Sequence, residues 1–327
     1  RSEAAATTPA PPPPPAPPLD PVAVSAMVHP TLVNISVSAG PLGRSGAGTG
    51  IVLTPDGQVL TSHHVVKGAE YIEATDVGTG LIHDAEVLGY DSARDVALLQ
   101  LGSADGMRAA RLGDSSTVRV GHEVMAIGNA GGAGGTPTGV VGVVTDVDST
   151  IVARNDSDSS RKALEGLIEI RADVSAGQSG GSLVDSTGSV LGVVTAASGR
   201  STPAEGEPIS GYAVPIAEAM RVVDQIRSGQ PTETVHVGRT AELGVVISTV
   251  PDGVRVDVAV YGSAAYRAGI PDGAVITTVD GSPVAASKDL KAVIDRAQPG
   301  DIVRLGWRDG DGAMRETAVE LVEGPPN

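Results

Sequence analysis

The chain has 327 residues and a formal charge of −16, which argues against nucleic acid or an anionic membrane surface as partner, because both recruit basic patches. With no cysteine it has no disulfide framework, no thiolate zinc site and no cysteine nucleophile. With no phenylalanine, one tryptophan and five tyrosines, its cores must rest on Val, Ile, Leu and Ala, a mixture that favours a mostly β protein of two or three domains.

Residues 1 to 20 are rich in Ala, Thr and Pro, with Pro11 to Pro15 unbroken. Such a tract stays extended and cannot bury a core, so a disordered spacer is expected, and Pro9 to Pro18 would reach about 30 Å. No apolar run approaches the length of a membrane span, and residue 1 is Arg, so a signal peptide or anchor is expected to have been removed or to have lain upstream. From Val33 onward, short apolar runs alternate with turn signals. Ile51-Val52-Leu53, Thr54-Pro55-Asp56-Gly57 and Val59-Leu60-Thr61 read as a hairpin. Further strands are expected near 85–89, 96–101, 123–127, 140–147, 167–170, 190–194 and 212–214, a spacing that suits barrels or a sandwich. A helix starting at Pro215, with Ile216, Met220, Val223 and Ile226 on one face, ends before Gly229 and closes a domain over 21–229.

Residues 230–239 lack periodicity and read as a linker. A second module over 240–323 is α+β, with strands at 244–248, 254–260, 274–279, 302–307 and 317–321. It adds a short helix from Ser263 to Gly269 and a longer one capped by Ser287. Residues 324–327 form a tail.

Ser179 lies among glycines, in Gly177-Gln178-Ser179-Gly180-Gly181, just upstream of the apolar Leu183-Val184. A serine attacks an acyl carbon only when a base takes its proton and nearby N–H groups receive the oxyanion, which requires small residues around it. Taken alone, such a pentapeptide is more often a turn. Of six histidines, His29, His83, His122 and His236 have no chemical company in sequence, whereas His63 and His64 stand where one strand ends and Val65-Val66 begins. Asp95 heads the apolar run Val96 to Leu101, where an acid can orient an imidazole, although a solvated strand cap is an equally good reading of it alone.

In the order His, Asp, Ser these segments resemble the trypsin-like serine proteases of the HtrA (DegP-like) type. Thr61-Ser62-His63-His64-Val65 is similar to the family's Thr-x-x-His-Val stretch and selects His64; Asp95 opens an Asp-x-Ala-x-Leu strand; Ser179 falls in the Gly-Asn-Ser-Gly-Gly position. Gly48-Thr49-Gly50-Ile51-Val52 and Gly211-Tyr212-Ala213-Val214-Pro215 also fit. Gly128 to Pro137 and Glu323-Gly324-Pro325-Pro326 resemble the secreted PepA-type proteases of actinobacteria. The glycine-rich stretch lacks the Lys-Ser/Thr of a phosphate-binding loop and reads as a loop beside a barrel.

The resemblance implies a two-barrel chymotrypsin-like fold followed by an α+β PDZ domain. It implies a secreted or cell-surface serine endopeptidase with no cofactor, acting on unfolded or exposed polypeptides. His64 would be the base, Asp95 its orienting acid and Ser179 the nucleophile, with the N–H groups of Gly177 and Ser179 as oxyanion donors. Val174 and Ser210 match positions lining the first specificity pocket; neither is charged, so cleavage after small or medium aliphatic residues is expected. Leu243 and Gly244 match the PDZ loop that receives a C-terminal peptide carboxylate, beside Glu242. Family trimers often pack aromatic residues near the N-terminus, and this chain has none before Tyr71, so a homo-oligomer has less to rest on. Gln178 and Ser182 depart from the usual Asn or Asp and Pro. Two rivals remain at this stage. One is a protease-inactive chaperone or PDZ scaffold; the other is a metal hydrolase using His63 and His64, whose rings would point opposite ways on an extended segment.

Overall fold

The computed structural model describes residues 18–39, 45–154, 161–197 and 210–327. Most of the Pro-rich tract therefore lies outside the described residues. The described chain opens with α1 (Pro21–Val28), which the sequence reading had not anticipated. Asp20 caps it by accepting the N–H groups of Val22 and Ala23, and Val24 and Val28 are buried.

The first barrel is built from β1 (Leu32–Ser38), β2 (Ser45–Val52), β3 (Gln58–Thr61), β4 (Tyr71–Asp76), β5 (Ile82–Asp91) and β6 (Val96–Leu101), with α2 (His63–Val66) between β3 and β4. Its strands run in the order β5-β4-β1-β2-β3-β6, and pairing of β5 with β6 closes them. The second barrel is closed in the order β10-β11-β12-β9-β8-β7. It comprises β7 (Glu123–Gly128), β8 (Thr138–Arg154), β9 (Arg161–Arg171), β10 (Ser182–Val184), β11 (Val190–Ala197) and β12 (Ser210–Pro215). One apolar cluster runs through both barrels, joining Leu32, Ile51, Leu60 and Leu98 of the first to Ile127, Val184 and Val193 of the second. Each such fully buried Leu or Ile contributes roughly 1.5–3 kcal/mol. Ile216, Ala219, Val222, Val223 and Ile226 of α3 (Ile216–Arg227) join the same cluster. The helix begins after Pro215, whose extended ψ makes it the residue before the first turn and not part of it.

The turn between strands at His63–Val66 is one turn of helix, and four residues are too short to show a 3.6 period. Residues 230–239 are not all linker: β13 (Val235–Val237) adds to β5, because Val235 buries against the cluster that holds Ile226.

The C-terminal unit has a second core around Leu243, Ile276, Leu290, Leu305 and Trp307. Its strands are β14 (Thr240–Glu242), β15 (Val245–Val250), β16 (Gly253–Ala259), β17 (Val275–Val279), β18 (Ser282–Pro283), β19 (Ile302–Arg308), β20 (Met314–Glu320) and β21 (Val322–Gly324), and its helices are α4 (Ala264–Arg267) and α5 (Ser287–Ile294). The main sheet runs β15-β16-β17-β19-β20, so β15 is an edge, and β14 pairs with β21. Ser287 is the first residue of α5 and not its cap. Asp289 Oδ2 accepts the N–H groups of Ala285 and Ala286, while Thr249 Oγ1 accepts the Ser287 N–H at 3.0 Å.

This unit touches the first barrel directly. The Gly68 N–H donates to the Pro326 carbonyl at 2.7 Å, and the Asn327 N–H donates to the Tyr90 hydroxyl at 3.3 Å. Tyr90 stacks on His63 on one side and on His236 on the other, with ring centroids 4.5 and 5.0 Å apart. Pro325, Pro326, Asn327, Val37, Lys67 and His64 line a groove of about 390 Å³. Among the described residues no helix is long and apolar enough to cross a membrane.

Candidate active site

Asp95 sits at the start of β6 with a left-handed backbone, φ +56°, a conformation that Asp tolerates better than most residues. Both its oxygens face α2: Oδ1 accepts the His64 N–H at 2.8 Å and Oδ2 lies 2.7 Å from His64 Nδ1. A carboxylate facing Nδ1 fixes the tautomer with its proton there, which leaves Nε2 able to accept one. The His64 side chain is 46% exposed against 8% for Asp95, so the ring stays open on the side away from its anchor. His63 diverges and stacks on Tyr90.

The electrostatics follow from this contact. Burial alone would lower the proton affinity of His64; the Asp95 charge and hydrogen bond outweigh it and hold its pKa above the ordinary histidine value. Burial alone would raise the Asp95 carboxyl; the His64 charge and the hydrogen bonds from His64 and Thr195 outweigh it and hold the carboxyl below the usual range. Thr195, on β11, donates its hydroxyl to Asp95 Oδ2, and its carbonyl accepts the Ser179 hydroxyl at 3.5 Å. Thr195 thus joins Ser179 of the second barrel to Asp95 of the first. Sequence reasoning missed it, because nothing around Thr195 marks it out. No hydrogen bond joins Ser179 Oγ to His64 among the described residues, a looseness common when no substrate is bound.

The peptide groups around Ser179 are held in one direction. The Ala176 carbonyl accepts from Gly131, the Gly177 carbonyl from the Thr49 hydroxyl, the Gln178 carbonyl from Gly181, and the Ser179 carbonyl from the Thr49 N–H. Gly177 has φ +89°, and a Cβ there would stand 2.1 Å from the Asn129 carbonyl oxygen, so no other residue fits without moving the loop. The N–H groups of Gly177 and Ser179 donate to nothing among the described residues. Two such donors on one loop can receive an oxyanion. Gln178 is 1% exposed. Its Oε1 accepts the Ser175 N–H at 2.8 Å and its Nε2 donates to the Thr138 carbonyl at 3.0 Å, so the departure from Asn or Asp leaves no buried amide unpaired. Ser182 does leave one buried group without a partner among the described residues, its hydroxyl.

Val174 and Ser210 are separated by the pleat of β12. Val174 is buried against Gly211, where a Cβ would meet its Cγ2 at 2.4 Å. The Ser210 hydroxyl donates to Glu169 Oε1 at 2.8 Å, and Glu169 Oε2 accepts from Ser149. Glu169, on β9, is a further residue that sequence reasoning passed over; only its position opposite Tyr212 in the ladder brings it here. In the C-terminal unit, Leu243 is buried and Gly244 has φ +72°. Their N–H groups donate to nothing among the described residues, at the end of the edge strand β15. The Glu242 carboxylate lies instead against Gly324; burial and the Glu70 charge push its pKa up.

The sequence profile of the trypsin-like peptidase domain matches residues 48–193. Serine protease PepD of Mycobacterium tuberculosis is 30% identical over 333 residues, which is 97% of this chain and 69% of PepD. A probable periplasmic serine endoprotease, DegP-like, of Bartonella henselae is 32% identical over 273 residues, 80% of this chain. This chain covers about half the length of that relative (51%). Among solved structures, the HtrA-type protease AlgW with tripeptide superposes with a TM-score of 0.54 at 25% identity, covering 94% of this chain and 98% of AlgW. The barrel pair, the sequence profile and the relatives agree: the chain belongs to the HtrA family of trypsin-like serine proteases.

Proposed function

We propose that this chain is a serine endopeptidase in which His64, Asp95 and Ser179 carry the chemistry. The observation that carries the reading is the grip of Asp95 on His64 through both carboxylate oxygens, on the same Thr195 that accepts the Ser179 hydroxyl. His64 Nε2 takes the Ser179 proton as Oγ attacks the carbonyl carbon, the N–H groups of Gly177 and Ser179 hold the oxyanion, and the imidazolium returns the proton to the leaving amine. Water then repeats the cycle on the acyl-enzyme.

The substrates are unfolded or exposed polypeptide segments cut after small or medium aliphatic residues. Val174, filling the space over Gly211, supports a shallow pocket. Residues 21–229 form the protease domain and 240–323 a PDZ domain. In its support, β15 is a free edge, α5 lies beside it, and Leu243 and Gly244 offer spare N–H groups for a C-terminal carboxylate. The relatives named periplasmic support a place outside the cytoplasm.

The test is a casein digest and fluorophosphonate labelling of the wild-type chain and Ser179→Ala. A loss of about 10⁶ in turnover, with labelling confined to the wild type, is the expected result. Equal residual cleavage in both, with no labelling of either, overturns the endopeptidase reading in favour of a binding scaffold.

A further inference from the structure

We propose that Thr49 is a positioning residue that sets the oxyanion donors, an inference that rests on the endopeptidase reading. Thr49 belongs to β2 of the first barrel, 128 residues before Gly177 in sequence, and is fully buried. Of its four polar contacts, three cross the seam between the barrels and one stays within the first. The Thr49 N–H donates to the Ser179 carbonyl at 2.9 Å and its Oγ1 donates to the Gly177 carbonyl at 2.8 Å. The same Oγ1 accepts the Asn129 N–H at 2.8 Å, and the Thr49 carbonyl accepts the Thr61 hydroxyl at 2.7 Å.

The hydroxyl has one proton, and the Asn129 N–H already uses a lone pair, so the proton must go to Gly177. That assignment matters because of peptide geometry. Every peptide here is trans, so the N–H of each unit points opposite to its carbonyl. Holding the Ala176 carbonyl at Gly131 turns the Gly177 N–H the other way. Holding the Gly177 and Ser179 carbonyls at Thr49 fixes the two units on either side of the one that carries the Ser179 N–H. The Gln178 carbonyl of that unit is tied to Gly181. The Gly177 and Ser179 N–H groups have no acceptor among the described residues, and rotation of the Gly177–Gln178 peptide would disturb both.

Thr49 also joins this loop to the glycine-rich one. Asn129, which it holds through the backbone, has its carbonyl and Oδ1 taken by the N–H groups of Gly132 and Gly134. Gly131, in the same turn, is the donor that holds Ala176. One hydroxyl therefore sets both supports of the donor pair.

The experiment compares wild type, Thr49→Val, Thr49→Ala and Thr49→Ser. It measures kcat and KM on a peptide substrate, and the affinities of a peptidyl boronic acid and of an uncleavable substrate analogue. In Thr49→Val, kcat and boronate affinity are expected to fall about ten- to a hundredfold, somewhat less than the full loss of one oxyanion donor. KM and analogue affinity should change less than about threefold, within one such tenfold unit. Thr49→Ser keeps the hydroxyl and is expected to recover most of the lost rate. Should the valine variant not fold, Thr49→Ala reads the same quantities with a water able to reach Gly177. A folded variant lacking the hydroxyl that keeps wild-type kcat and boronate affinity overturns the proposal. So does an equal loss in analogue binding, which would mark a purely structural role. A wild-type chain that fails to react with fluorophosphonate points instead to failure of the endopeptidase reading.

Discussion

Thr195 donates its hydroxyl to the same Asp95 oxygen that faces His64, so the acid of the first barrel is held partly by the second. A hydrogen bond to a charged group is worth about 1.5–3 kcal/mol. Thr195→Val is therefore expected to lower kcat/KM about ten- to a hundredfold, and steady-state kinetics of the folded variant checks it. An unchanged value would mean that His64 alone orients Asp95.

The pH profile follows from the direction of the His64 shift. Only neutral His64 can take a proton from Ser179, and Asp95 holds its pKa above the ordinary histidine value. The acid limb of kcat/KM should therefore have its midpoint above that value, and Asp95→Asn should move it down. Because the folded-state value is raised, the stabilisation from this contact is complete below the unfolded histidine value and is lost as pH rises through the folded one. Thermal unfolding across pH 5 to 9, wild type against His64→Ala, reads that slope.

Gln178 bridges Ser175 to Thr138 from inside the Ser179 loop. Gln178→Ala leaves the Ser175 N–H and the Thr138 carbonyl without partners, at a cost of about 1–3 kcal/mol each if water does not replace it. Both the melting temperature and the rate of fluorophosphonate labelling should fall. Labelling at the wild-type rate would show that the loop is held by its backbone contacts alone.

Ser182 has a fully buried hydroxyl with no partner among the described residues. Ser182→Ala removes that group and should stabilise the chain by about 1 kcal/mol, a rise of about 2–4 °C in melting temperature by calorimetry.

Glu242 is half-buried near the like charge of Glu70, and both effects raise its pKa. The native chain therefore binds that proton more firmly than the unfolded one, and stability falls as pH rises through the folded-state value. Glu242→Gln should raise the melting temperature at pH 7 and have no effect below about pH 4, where the unfolded carboxyl is itself protonated.

What the sequence revealed depended on whether the signal was local. Val96 to Leu101 reads as a strand because six consecutive residues carry the pattern, and the structure places β6 on those same residues. His63–Val66 and Val235–Val237 are too short for any period to register, so neither the helical turn nor the strand is legible there. The side chains of Ser179, His64 and Asp95 stood out because their neighbours form recognisable strings. Thr195 and Glu169 did not, because their partners lie 100 and 41 residues away and common residue types surround them; Thr49 lies in a recognisable string, but its partner 128 residues away is not legible there. Ser210 was noted for its lack of charge, yet its hydroxyl is tied to a carboxylate.

The segment Pro325 to Asn327 bears on how this enzyme should be handled at the bench. Pro326 and Asn327 are hydrogen-bonded to Gly68 and Tyr90, and they wall the groove that His64 also lines. A bulky label or an insertion placed at Pro325 to Asn327 would stand in that groove. It would compete with those bonds beside His64, so a chain altered there and an unaltered one should be treated as two preparations until their fluorophosphonate labelling rates agree.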